Sequence, residues 1–106
     1  MQTETHLKIL KYMESNPKAS QRQVAYELDV SVGKVNYCLK ALINKGFIKV
    51  GKFKRNTDKL SYLYLLTPSG MDEKVRLTAS FIKSKIAEHK KIIQEIEQLR
   101  QDVANH

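Results

Sequence analysis

The sequence predicts a mainly α fold with one small β-hairpin. Three observations predict it. Apolar residues recur at helical spacing over three short N-terminal segments and one long C-terminal segment. The period changes to strand-like runs at 47–50 and 60–66. Pro17, Gly46, Gly51, Pro68 and Gly70 punctuate the chain where the period changes.

Taken in order, residues 4–15 read as a helix with Ile9, Leu10 and Met13 on one face, stopped by Asn16-Pro17. Ser20 is an N-cap, and Gln23 three residues on completes a capping-box pattern. The helix it opens, about 21–28, is two turns long and buries Val24, Ala25 and Leu28. Asp29-Val30 is a short turn. Ser31 caps a third helix that runs to about Lys45, with Val35, Cys38, Leu39, Leu42 and Ile43 as its core face and Gly46 as its C-cap glycine. Phe47–Val50 and Leu60–Leu66 follow as strands, with residues 51–59 as a basic hairpin tip. Thr67 caps the last helix and Pro68 takes its first position. Asp72 and Glu73 are expected in its first turn, where the helix dipole favours acids.

That last helix runs from 68 to about 102 without a breaker. At 1.5 Å per residue it is roughly 50 Å long, whereas a body of about 70 residues is only about 25 Å across. Its apolar stripe nevertheless continues through Val75, Ala79, Ile82, Ile86, Ile93, Ile96, Leu99 and Val103, with His89 among them. A stripe that outruns its own body needs another chain. We therefore expect residues 1–67 to form one domain and 68–106 a dimerising helix. The homodimer would join through Ile82, Ile86, His89, Ile93, Ile96, Leu99 and Val103, coiled-coil-like and antiparallel or crossed. A helix folding back on its own body is the alternative.

Composition sets the class. The chain has 106 residues, 42% of them apolar, which suits one domain with a modest core. No apolar run approaches the roughly 20 residues of a membrane helix, and the first residues lack the basic and apolar regions of a signal peptide. The lone Cys38 excludes an internal disulfide and a CxxC metal knuckle. A cytoplasmic protein without membrane contact is expected. The net charge is +8, and nearly all of it falls in residues 1–70. Residues 30–57 carry Lys34, Lys40, Lys45, Lys49, Lys52, Lys54 and Arg55 and no acid. A basic stretch without acids seeks a polyanion, nucleic acid before an anionic membrane. A solvated basic face is the plainer alternative.

Helix, short helix, tight turn, helix, basic hairpin: this order is that of a winged helix-turn-helix, in which the third helix enters the major groove and the wing lies over neighbouring phosphates. On the third helix, Gly33, Asn36, Tyr37, Lys40 and Asn44, flanked by Lys34, lie opposite the core face. Asn36 suits adenine, Lys34 and Lys40 suit guanine or phosphate, and Tyr37 suits a methyl group or a phosphate. Ser20, Gln21, Arg22 and Ser31 sit at helix N-termini, where hydroxyls and free N–H groups suit phosphates. Lys52, Lys54, Arg55 and Lys59 are the wing candidates.

The run from Ser20 to Val50, SQRQVAYELDVSVGKVNYCLKALINKGFIKV, resembles the helix-turn-helix of bacterial MarR-type regulators. Continued by FKRN and YLYLLTPSG, it is most similar to a short subgroup of MarR-family regulators associated with exopolysaccharide biosynthesis clusters. The resemblance spans about residues 5–100. It implies a dimeric regulator of transcription that reads double-stranded DNA at an inverted repeat. Two departures from the larger MarR proteins stand out. One long C-terminal helix replaces their extra N-terminal helix and paired C-terminal helices. Asp58-Lys59-Leu60 offers no counterpart to the Asp-x-Arg pair common in their wing. A small-molecule effector is therefore not carried across.

Two rivals remain at this point. The same surface on a winged helix can serve a protein partner, or RNA. The polar helix face and acid-free stretch argue against the first, and the scarcity of exposed aromatics beyond Tyr37 and Phe53 argues against single-strand stacking. No catalytic set, phosphate loop or metal spacing among His6, His89 and His106 is visible, so an enzyme and a cofactor are not expected. Cys38 reads as a core residue before a redox sensor.

Overall fold

A computed structural model describes residues 2–54 and 60–106. Three N-terminal helices come first: α1 (Gln2–Ser15), α2 (Gln21–Leu28) and α3 (Val32–Asn44). Their boundaries follow from side chains that satisfy backbone groups. The Ser20 hydroxyl accepts the Gln23 N–H at 3.1 Å, and the Ser31 hydroxyl accepts the Lys34 N–H at 3.0 Å. Each such cap contributes about 1 kcal/mol by pairing a donor the helix leaves free. Asp29 then takes the left-handed conformation at φ 54°, an arrangement that Asp tolerates better than most side chains. Its N–H bonds the Tyr26 carbonyl, and the Val30 N–H bonds that of Ala25. α2 is thereby closed and the chain redirected into α3 within three residues.

α3 ends through Gly46 at φ 78°. The Gly46 N–H bonds the Ile43 carbonyl and the Phe47 N–H that of Leu42, a Schellman closure that aims the chain into the hairpin. Strands β1 (Ile48–Lys54) and β2 (Leu60–Leu66) pair antiparallel from Ile48 opposite Leu66 to Lys54 opposite Leu60. The first strand thus begins one residue later than Phe47–Val50 predicts and ends four residues further on, at Lys54. Gly51-Lys52-Phe53-Lys54 alternates half-buried with exposed positions, and ladder pairing carries that alternation outward. The Tyr64 N–H donates to the Pro17 carbonyl at 3.0 Å, which ties β2 to the α1–α2 turn.

The last helix, α4 (Pro68–Ala104), begins where Thr67 accepts the Gly70 N–H at 3.0 Å. Thr67 and Ser69 also donate to the Gly46 carbonyl, and the Thr67 N–H to that of Phe47. Pro68 is the first helical residue, so Asp72 and Glu73 fall in the second turn; the first turn carries no acid. Glu73 instead receives two bonds from the Arg76 guanidinium, at 2.6 and 2.8 Å.

One core holds these pieces together. Leu7, Ile9, Leu10 and Met13 of α1 meet Val24 and Ala25 of α2 and Val35, Cys38, Leu39 and Leu42 of α3. Ile48, Tyr64 and Leu77 close it from the hairpin and α4. Each fully buried Ile or Leu contributes about 1.5–3 kcal/mol. Lys74 of α4 reaches Glu14 of α1 at 2.6 Å. The first turns of α4, to the half-buried Phe81, therefore belong to the body. From Ile82 onward every residue is exposed, and the molecule extends 71 Å against 27 and 20 Å across. The helix does not fold back. Ile82, Ile86, Ile93, Ile96, Leu99 and Val103 are 45–79% exposed, and Ile92, outside the predicted stripe, stands beside them at 52%.

Candidate nucleic-acid interface

α3 is anchored by Val35, Cys38, Leu39 and Leu42, all essentially without exposed surface. The opposite side of a helix buried so completely is fixed in orientation. It presents Gly33, Lys34, Tyr37, Lys40 and Asn44 to solvent, with Tyr37 60% exposed. Ser31 stands exposed at the N-terminus of α3, and Ser20 and Arg22 at that of α2. Both N-termini direct free N–H groups and the positive end of a helix dipole outward.

Asn36 differs from its neighbours. It is half-buried, and its amide donates to the Gln21 side-chain carbonyl at 3.1 Å. The Gln21 amide in turn donates to the Tyr64 hydroxyl at 3.3 Å. A polar chain thus runs from α3 through the start of α2 to β2. Gln21, expected as a phosphate contact, is a strut between elements, and Asn36 is held by it with its carbonyl oxygen left over as an acceptor.

In the hairpin, Lys52 and Lys54 are exposed opposite Tyr62 and Leu60. They share the face that carries Ile48 and Tyr64 into the core, but lie beyond the body. Arg55 and Lys59, also expected in the wing, lie outside the described residues. Lys18 was missed in the sequence. Its ammonium sits 5.2 Å from the centre of the Phe53 ring. It borders a cleft of about 300 Å³ with Ser20, Gln21, Tyr62 and Tyr64, between the α1–α2 turn and the hairpin. Its position two residues ahead of the Ser20 cap was the available signal. Val32 and Tyr26 of the helix-turn-helix, which the sequence pattern does not single out, are 43% and 83% exposed.

Electrostatics add little beyond the fixed charges. Burial pushes the Cys38 thiol up, with Lys34 opposing weakly, which disfavours the reactive thiolate. Cys38 is a core residue of α3. No helix among the described residues is long and apolar enough to cross a membrane.

Helix-turn-helix, hairpin and basic outer face together define a winged helix-turn-helix. Comparison with known proteins agrees. Residues 2–49, from α1 into the start of β1, match a family model described as winged helix-turn-helix DNA-binding. No curated protein matches the chain. Among solved structures, a transcriptional regulator homologue from Pyrococcus horikoshii OT3 is 25% identical, with a TM-score of 0.60 over 80% of this chain and 82% of that one. A MarR/EmrR family transcriptional regulator from Acinetobacter sp. ADP1 is 21% identical, with a TM-score of 0.59 over 96% of this chain and 76% of its own. Streptococcus pneumoniae FabT, solved in complex with DNA, is 23% identical, with a TM-score of 0.55 over 93% and 76%.

Proposed function

We propose that this chain is a MarR-type transcriptional regulator that binds double-stranded DNA sequence-specifically, as a homodimer on an inverted repeat. The observation that carries the reading is the outer face of α3. Lys34, Tyr37, Lys40 and Asn44 stand in solvent on a helix whose other side is wholly buried, flanked by Arg22 and by Lys52 and Lys54. The fold's likeness to a protein solved on DNA supports it. In this reading α3 enters the major groove. Ser20, Arg22 and Ser31 hold phosphates, and the wing follows the backbone beside them. Residues 1–67 read DNA and 68–106 join two copies, residues 68–81 also completing the core. Two α3 helices then occupy successive major grooves about 34 Å apart. The resemblance of Ser20–Val50 to regulators of exopolysaccharide clusters makes such genes the proposed targets.

The test is fluorescence anisotropy with a duplex from upstream of the chain's own gene cluster, at two salt concentrations, against unrelated competitor duplex. Binding that survives competition and weakens steeply with salt is expected. Binding abolished by competitor would leave phosphate affinity without sequence reading. Salt-insensitive association, or none, would favour a protein-interaction module.

A further inference from the structure

The dimer proposed above leaves the direction of the second copy open, and the exposed part of α4 carries two features that decide it. The first is its charge order. Residues 82–91 hold Lys83, Lys85, Lys90 and Lys91 against Glu88 alone. Residues 92–104 hold Glu95, Glu97 and Asp102 against Arg100 alone. Two such helices side by side in the same direction set positive against positive and negative against negative. Reversed, each basic half lies along an acidic half, and the two helix dipoles oppose as well.

The second feature is where the apolar stripe leads. It does not stop at the body but opens into a groove between α1 and α4, about 420 Å³, bordered by Leu7, Lys11, Phe81, Ile82 and Ile86. A further opening of about 530 Å³ continues it past Lys11 toward Val75 and Ala79. A same-direction partner brings its whole body to this end of the helix. A reversed partner brings only a helix end, which carries the last two apolar residues of the stripe, Leu99 and Val103. Lys11, on the rim of both openings, meets the acidic Asp102 and the negative end of the arriving helix dipole.

Resting on the dimeric reading, we infer that the second copy lies antiparallel along α4, centred near Ile92 and Ile93, with its Leu99–Val103 turns seated in the groove between α1 and α4. The surface on each body is thereby completed by the other chain. DNA-binding units then stand at opposite ends of a shared two-helix arm.

Disulfide trapping in the full-length chain tests this, since Cys38 is fully buried and the unaltered chain serves as control. Light scattering on the unaltered chain comes first. A monomer there overturns the dimeric reading itself. Given a dimer, Ile93→Cys should cross-link to itself. Leu99→Cys should not, because reversed copies hold those positions about 20 Å apart, well beyond disulfide reach. A mixture of Lys11→Cys and Val103→Cys chains should yield the mixed disulfide. Self-linking of Leu99→Cys without the mixed product would overturn the antiparallel geometry. Ile93→Cys linking alone, with no mixed product, would overturn the seat in the groove.

Discussion

Gly70 sits where α4 passes the start of β1, and a Cβ there would collide with the backbone carbonyl of Phe47. Backbone on both sides leaves no flexible side chain to yield. Gly70→Ala is expected to cost about 2–3 kcal/mol in urea unfolding. Gly51→Ala is the control: its Cβ would meet the Leu63 side chain at an ordinary 3.6 Å, and a change within about 0.5 kcal/mol is expected. His6 makes a different kind of prediction. Its Nε2 is buried and has no hydrogen-bond partner among the described residues. Burial first, and Lys45 second, hold the imidazole below its ordinary 6.5, with Glu73 opposing. The folded state therefore binds this proton less readily than the unfolded chain. Stability should fall as pH drops below about 6.5 and level off below the lowered folded value. Glu73, held low chiefly by Arg76, gives up its contribution only at more acid pH. Unfolding at pH 7.5 and pH 5.5 should show a loss in the native chain that His6→Gln reduces.

At the scale of elements, helix ends were legible because they are written in local chemistry. Ser20, Ser31 and Thr67 cap where their neighbours predict, and Gly46 turns where a left-handed residue is needed. What escaped was non-local or ambiguous. Gly51-Lys52 reads as a turn until Leu63 and Tyr62 are known to lie opposite. The chain of bonds Asn36–Gln21–Tyr64 joins residues up to 43 positions apart, and no local pattern announces it. The exposed row on α3 was legible because a fully apolar face implies its opposite. The proposed DNA reading divides along the same lines. Lys40→Ala on α3 should cost about 1–3 kcal/mol on the preferred duplex and relax base preference; Asn36→Ala should act similarly. Lys54→Ala on the wing should weaken all duplexes alike and lower the salt slope by about 1. Competition titrations distinguish these, and equal loss on every duplex for all three would remove base reading from α3.

Over the whole molecule, folding and the proposed assembly separate along α4. All core residues lie between Leu7 and Leu77, with Phe81 packed at the edge. Removal of residues 83–106 should leave a folded body, checked by a cooperative thermal transition in circular dichroism. The same chain should scatter as a monomer and lose roughly 10²–10⁴-fold in operator affinity, since two linked half-sites no longer reinforce one another.

α4 spans 37 residues, with no glycine or proline after Gly70. Such a helix is a stiff rod of about 55 Å, held in the body from Gly70 to the half-buried Phe81, so that only the part from Ile82 on, about 33 Å, stands free. A tilt of about 6° where it leaves the body swings the far end by about 3.5 Å, the 3.4 Å rise of one base pair. On the dimeric reading, the tolerance for operators one base pair longer or shorter is therefore set by how tightly Leu77 and Phe81 are clamped against the core.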